Sequence, residues 1–508
     1  MTKFARLLRN EYLDSLVLMN LSNDASGWPG VRQAVIVMGT ESNRRILEQV
    51  GLLTGEAHHA TPRDLIIAVE LEGSLGEAEF MARLEERMKQ QTRRQANAAG
   101  YTRLEVALDA RPDARLVSIS LPGEHAAAPA RAALERGRHV FCFSQHVSLE
   151  DELALKTLAV ERGLLMMGPD CGTAILDGCG LGFANQVRRG SIGLVSASGS
   201  GLQEVTTLVH RAGGGISQAI GVGGRDMRHP LNGLMAEAAV RRLSQDPQTR
   251  VIVILAKSAS LVAQRRVLDA ARASGRATVV DFISGEIGDL RLRGAVSADT
   301  FEGCALAAVQ LAGLEWALGN SHEGHLAEVR ASVRQLMPSR WAVRGLFAGG
   351  SLCGEAAHIL SQQGLTAATN LEQPLKERPA GHLLLDLGAE EYTQARAHPF
   401  IDPRLRALEI DQAFADTSVA ILLLDVVLGW GCHPDPAGAV VAALQKARAA
   451  HGQGPIVLAS VCGTHEDPQD LDRQRLSLER SGVTVAVSHA AAARLAAELA
   501  TGIKVSNG

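Results

Sequence analysis

Residues 191–215 read SIGLVSASGSGLQEVTTLVHRAGGG, and this stretch decides the fold. Ile192, Leu194 and Val195 make a short aliphatic run with the length of a buried strand. The run ends in Ser196-Ala197-Ser198-Gly199-Ser200-Gly201, after which Leu202, Val205, Leu208 and Val209 recur at helical spacing. Gly213, Gly214 and Gly215 stop the helix. Ser200 with Gln203 has the spacing of a capping box, which puts a helix N-terminus at this turn. A strand passing through small residues straight into an amphipathic helix is half of a βαβ unit, and such units build parallel sheets covered on both faces.

The same rhythm runs through the chain. QAVIVMGT (33–40), RLVSISLP (115–122), GRHVFCFS (137–144), GLLMMGPD (163–170), RVIVILAKS (250–258) and ATVVDFIS (277–284) read as buried strands. GLFAGGS (345–351), GHLLLDLG (381–388), VAILLLDVVLG (419–429), PIVLASVCG (455–463) and VTVAVS (483–488) continue the series. The expected class is therefore α/β, with several doubly wound parallel-sheet domains. Breaks in the rhythm divide the chain into an N-terminal α/β domain at 1–100, a unit at 101–190, another at 191–315, a polar helical connector at 316–343 and a last α/β unit at 344–508. The similarity of 191–201 to 345–351 is that of a distant duplication.

Bulk properties narrow the function. At roughly 150 residues per domain, 508 residues make three or four domains. With 51 basic and 55 acidic residues, the net charge of −4 offers no basic field for nucleic acid. The charged helix EAEFMARLEERMKQQTRRQ (77–95) reads as a solvated face instead. Seven cysteines, an odd number spread over a long chain, argue for a reducing compartment and against a disulfide scaffold. The N-terminal stretch lacks the apolar core of a secretory signal, and no apolar run has the length of a membrane span. A cytoplasmic protein with no membrane partner is expected.

Two turns are receptive to an anion. At a helix N-terminus the first N–H groups lack acceptors and the helix dipole favours negative charge. Ser198, Gly199, Ser200 and Gly201 form the first such turn; Gly349, Gly350 and Ser351, in GLFAGGSLCGEAAHIL (345–360), form the second. Each is equally readable as a tight strand–helix turn, but two of them suit one ligand approached from opposite sides. Further polar residues follow the carboxyl ends of later strands, where open α/β sheets place ligands. They are Asp425 and the loop to His433 and Asp435, Cys462 to His465, and Asp386, Glu391, Arg396, His398, Asp402 and Arg404. Arg396 and Arg404 have the fork that grips a carboxylate or phosphate, although a structural role for each is as well supported. No G-x-x-x-x-G-K-[ST] loop, strand-linked G-x-G-x-x-G, C-x-x-C pair or H-E-x-x-H is present, so neither a P-loop nucleotide site nor a metal is expected. Cys353, Cys432 and Cys462 are nucleophile candidates whose default reading is buried and structural.

The runs MMGPDCGTAI (166–175), GSIGLVSASGSGLQEV (190–205) and GGGISQAIGVGGRDM (213–227) resemble, in this order, the α subunit of succinyl-CoA synthetase. The second half looks like the flavodoxin-like ligase domain of its β subunit. AGGSLCGEA (348–356), LDLGAEEYTQARAHPFIDPRLR (385–406) and ILLLDVVLGWGCHPDPAG (421–438) are closer still to the FdrA family of acyl-CoA-synthetase-like bacterial proteins. The resemblance covers about residues 105–505, and the first hundred match only the general layout. It implies a degenerate Rossmann-like CoA-binding domain at 101–190 and two ligase domains of succinyl-CoA-synthetase type at 191–315 and 344–508.

Departures from those families shape the functional expectation. The segment that carries the phosphorylated histidine in succinyl-CoA synthetases reads VVDFISGEIGDLRLRGAVSADTFEG (279–303) here, without a histidine. Their glutamate segment is replaced by ILAKSAS (254–260), around Lys257, and no ATP-grasp module is present. ATP-driven CoA ligation by this chain alone is thus not expected, and no cofactor is called for. The FdrA resemblance implies oxamate carbamoyltransferase acting with companion subunits in anaerobic allantoin breakdown, as a homo- or hetero-oligomer. In that reaction a carbamoyl group passes from oxalurate to phosphate, giving oxamate and carbamoyl phosphate. On this reading Ser198, Gly199, Ser200, Gly201, Gly349, Gly350 and Ser351 bind phosphate. Arg396 or Arg404 holds a carboxylate, and His398 or His433 moves a proton. A CoA-dependent acyl transferase or ligase subunit, energised by a partner, and a non-catalytic acyl-phosphate-binding subunit stay open beside it.

Overall fold

The computed structural model describes residues 2–11, 13, 15–49, 51–73, 75–97, 100–101, 103–282, 294–316, 318, 339–375, 377–393 and 397–507. Most of the expected connector 316–343 lies outside them. The chain divides into two compact units, Met1–Ala107 with Glu390–His398, and Leu108–Ala389 with Pro399–Gly508.

In the first unit β1 (Thr2–Leu8), α1 (Ser15–Ser26), β2 (Val31–Met38), α2 (Glu41–Gln49), β3 (Leu65–Leu71) and α3 (Glu77–Asn97) build a three-stranded sheet of order β1-β3-β2. Both pairings are antiparallel, with Thr2 opposite Leu71 and Met38 opposite Leu65. The parallel rhythm expected along most of the chain thus does not extend to this N-terminal α/β unit. The strand LIIAVEL (65–71) escapes a periodicity reading because it is apolar on both faces. Ile67 and Val69 pack with Leu18, Trp28 and Phe80 on one face, while Ile66 and Ala68 pack with Leu47 and Leu52 on the other.

After α4 (Leu104–Ala110), the second unit opens with β4 (Leu116–Ile119), α5 (Gly123–Glu135), β5 (His139–Cys142), α6 (Leu149–Glu161) and β6 (Met166–Met167), whose strands pair in parallel. The hairpin β7 (Thr173–Leu176) and β8 (Cys179–Gly182) then leads to β9 (Arg189–Ser196), α7 (Gly199–Arg211), β10 (Ile216–Gly221), α8 (Leu234–Gln245), β11 (Val251–Ala256), α9 (Leu261–Ser274), β12 (Ala277–Phe282), β13 (Val296–Ser297) and α10 (Phe301–Leu311). Their sheet has the order β13-β12-β11-β9-β10-β7-β8. It is parallel from β13 to β10, and the hairpin, which the sequence division assigns to 101–190, adds an antiparallel edge.

The last part holds β14 (Ala342–Phe347), α11 (Gly350–Gln362), β15 (Ala368–Thr369), β16 (Leu383–Asp386), α12 (Glu390–Thr393, grouped with the first unit), α13 (Arg404–Ala415), β17 (Val419–Val427), α14 (Pro436–His451), β18 (Ile456–Cys462), α15 (Leu471–Arg480), β19 (Thr484–Ala486) and α16 (His489–Asn507). All its strands are parallel, in the order β15-β16-β14-β17-β18-β19. The two large sheets share one core, in which Leu194, Leu202, Val205 and Phe301 join Phe347, Leu352, Leu360 and Leu499.

The halves are also tied by exchanged helix caps. The Glu204 carboxylate, on α7, accepts the N–H of His489, the first residue of α16, at 2.9 Å. The Glu355 carboxylate, on α11, accepts the N–H of Phe301, the first residue of α10, at 2.6 Å. Each glutamate is the sixth residue of its helix counted from Gly199 or Gly350, so two comparable helices cap the final helix of the opposite half. Both carboxyls are buried, and burial raises them above the ordinary carboxylate range.

Candidate functional site

The turn after β9 is braced from within. The Ser196 hydroxyl donates to the Ser198 carbonyl at 2.7 Å and accepts from the Ser198 N–H. Ser198 is the N-cap of α7, its Oγ accepting the Gly201 N–H at 2.9 Å. The capping box expected at Ser200 and Gln203 does not form. Gln203 turns instead into the junction with the second sheet, donating to the Phe183 carbonyl at 2.5 Å and to Asn185. Gly201 is a packing requirement, since a Cβ there would lie 2.6 Å from the Phe301 ring. Ser198 and Gly201 thus serve the turn itself, which leaves the N–H groups of Gly199 and Ser200 without an intrahelical acceptor.

The second turn is held by Asp425. Its carboxylate accepts the N–H groups of Ala348 (2.9 and 3.0 Å) and Gly349 (2.8 Å), the N-cap of α11. Arg406 holds that carboxylate in place, pairing with Asp425 Oδ1 at 2.5 Å and donating to the Asp425 carbonyl at 2.6 Å. Both side chains are buried. The N–H groups of Gly350, Ser351 and Leu352 remain as the open first turn.

The structure brings the two turns into contact. A Cβ built on Gly349 would stand 2.7 Å from Ser200 Cβ, so only glycine allows this approach. Two side chains flank the junction. A Cβ on Gly350 would lie 2.3 Å from Asp386 Oδ2, and one on Gly354 would lie 3.7 Å from Lys257 Cε. Asp386 is the last residue of β16 and Lys257 the first after β11. Asn370 clamps the Asp386 backbone, accepting its N–H at 2.8 Å and donating to its carbonyl at 2.9 Å. Burial raises the Asp386 carboxyl to about 6, against the opposing pull of Lys257 and the Gly388 N–H. Burial likewise lowers Lys257, and Asp386 counteracts it. Asp170, just beyond β6, accepts from Gln145 Nε2 at 3.1 Å and lies 3.7 Å from a Cβ built on Gly224.

Other expected site residues fall elsewhere. The Arg404 fork is engaged by its near neighbour Asp402, through Nε at 2.9 Å to both oxygens and Nη2 at 2.5 Å. Arg406, two residues on and so on the other side of the helix, is the arginine that reaches the site's backbone. His433 shapes its own loop, Nδ1 accepting the Asp435 N–H at 3.0 Å and its N–H donating to the Phe400 carbonyl at 2.7 Å. Among the described residues no hydrogen bond links it to either turn. His398 is half-buried and grouped with the first unit, and Arg396 lies outside the described residues. Burial raises the thiols of Cys353, Cys432 and Cys462, the opposite of what a nucleophile needs. Lys257, Asp386 and Asp425 share one legible signal, a polar residue at or near the carboxyl end of a buried strand.

Comparison with known proteins fits this architecture. The chain is 38% identical to the uncharacterized protein YahF of Escherichia coli K12 over 501 residues, covering 96% of this chain and 97% of that one. It belongs to the YahF family. Residues 346–499 of this YahF-family chain match the CoA-ligase family, and residues 1–104 match the AllF heavy metal-associated domain. The α-2 subunit of the ADP-forming succinate–CoA ligase of Trichomonas vaginalis is 33% identical over 150 residues, 28% of this chain and about half (47%) of that one. Among solved structures, the apo acetyl-coenzyme A synthetase 1 of Candidatus Korarchaeum cryptofilum aligns over 77% of this chain and 85% of its own at 15% identity and a TM-score of 0.33, which carries no argument about activity.

The residues of the AllF-type domain do not suit a soft heavy metal. Residues 1–104 contain no cysteine, so the thiolates that select such ions are lacking. Among the described residues no group of three or more His, Cys, Asp or Glu side chains is placed to hold a metal ion, and no helix is long and apolar enough to cross a membrane.

Proposed function

We propose that this YahF-family chain is a subunit of a carbamoyltransferase that exchanges a carbamoyl group between a ureido acid such as oxalurate and phosphate. The observation that carries the reading is the contact of two helix N-termini at Ser200 and Gly349, with the Lys257 stem packed against Gly354 about one turn further along α11. N–H groups from both helices and a nearby cation favour a phosphate and the oxyanion that develops when it attacks the carbamoyl carbon. The FdrA resemblance links this architecture to allantoin breakdown in the cytoplasm, and the AllF-type N-terminal domain fits that link. Carbamoyl transfer to phosphate needs neither ATP nor a phosphohistidine, in keeping with the histidine-free segment 279–303.

The CoA-ligase match over 346–499 favours a second reading, an acyl-CoA ligase-like subunit energised by a partner. One experiment separates the two. The chain is incubated with carbamoyl phosphate and oxamate, alone and with the proteins encoded beside it, while phosphorus NMR follows carbamoyl phosphate. Loss that depends on oxamate and exceeds spontaneous decay supports carbamoyl transfer. If no combination accelerates the loss, and CoA plus a nucleoside triphosphate yields a thioester, the second reading replaces it.

A further inference from the structure

We propose that Lys257 and Asp386 are the reacting pair of this site: the Lys257 ammonium binds a phosphate oxygen, and the Asp386 carboxyl carries the proton between phosphate and the departing nitrogen. The proposal rests on the carbamoyl-transfer reading and deepens it.

Its basis is a notch in α11. Gly350 and Gly354 are one turn apart on the same face of that helix. The Asp386 carboxylate fills the space over the first, where a Cβ would meet Oδ2 at 2.3 Å. The Lys257 stem lies over the second, with Cε at 3.7 Å and Cγ at 4.0 Å from an added Cβ. The two side chains leave the carboxyl ends of strands in different sheets, β11 and β16, and lie against one face of the first turns of α11. The turns themselves are braced by Ser196, Ser198, Asp425 and Arg406.

The surrounding charges suit the roles. Asp386 faces Lys257, Asp425 and Asp170, with the Gly388 N–H on Oδ1 at 2.9 Å. Lys257 faces Asp386, Arg228, Glu372 and the Cys353 thiol. With its carboxyl raised to about 6, Asp386 samples both protonation states near neutrality, as a proton carrier must.

The step balances. An oxygen of hydrogen phosphate bonds to the carbamoyl carbon of oxalurate. The bond from that carbon to the internal nitrogen breaks, and its electron pair stays on nitrogen. Protonated Asp386 gives this nitrogen a proton, forming oxamate, and the Asp386 carboxylate takes the hydroxyl proton of the phosphate. Carbamoyl phosphate leaves, and the site is restored.

The full chain with its companion proteins is assayed as above. Asp386→Asn is expected to lower kcat about 100-fold or more, with KM for carbamoyl phosphate within about threefold and the pH dependence near 6 abolished. Lys257→Met is expected to raise that KM at least about tenfold, and Lys257→Arg to recover most of it, since a single charged contact is worth roughly this much. Wild-type turnover and KM in both Asp386→Asn and Lys257→Met would overturn the pair. Should the wild-type assembly transfer no carbamoyl group, the functional reading fails by itself. The pair is then judged by carbon-13 NMR of the Asp386 carboxyl, titrated with inorganic phosphate in wild-type and Lys257→Met chains. A phosphate response lost in Lys257→Met supports the assignment; the same response in both overturns it.

Discussion

At the scale of single residues, the placement of Asp386 acts against the folded state. Its carboxyl stands at about 6 because burial disfavours the anion, against an ordinary value near 4 in the unfolded chain. The folded form therefore binds the extra proton between these values, and stability falls as pH rises through that window. Below pH 4 the group is protonated in both states and contributes nothing. Asp386→Asn should accordingly stabilise the second unit above about pH 6, by at most about 3 kcal/mol, and leave it unchanged near pH 4. Denaturant unfolding at the two pH values checks this, and equal stabilisation at both would contradict it. His489 has the opposite sign. Burial lowers it to about 4, and the Leu352 carbonyl at 2.8 Å from Nε2 requires that nitrogen to carry the hydrogen. It stays neutral as a fixed strut between α16 and α11.

At the scale of elements, the approach of the two site helices depends on one missing methyl group. Gly349 has φ −99°, a conformation open to any residue, so the demand for glycine comes from packing, chiefly Ser200 across the junction at 2.7 Å and secondarily Leu352 Cδ1 at 3.1 Å. Gly349→Ala should cost about 1–3 kcal/mol by overpacking and push the helix starts apart. Adding Ser200→Gly in the same chain should recover most of that loss, as measured by urea unfolding of the two variants. The site is therefore set by the fit of one helix start against another.

At the scale of the whole second unit, a common core and exchanged glutamate caps make the two large sheets interdependent. Leu202→Ala on α7 and Leu360→Ala on α11 each empty a fully buried position and should each cost about 2–5 kcal/mol. Both are expected to lower one and the same thermal transition of this unit. Two separately shifted transitions in calorimetry would show instead that the halves unfold independently.

The sequence by itself determined the α/β class, the parallel strands of the second unit and both glycine-rich helix starts. Those signals are local: aliphatic runs, small residues at strand ends and helical spacing beyond them. Pairing direction in the first unit was hidden, because β3 is apolar on both faces and its partners are remote in sequence. Which turn residues remain open was equally hidden. Ser198 caps its own helix, Arg404 is engaged by Asp402, and Asp425 arrives from another strand to take the N–H groups of the second turn. Only the tertiary structure sets Lys257 and Asp386 on one face of α11. Proximity between residues on different sheets is created by packing, and nothing in local spacing records it.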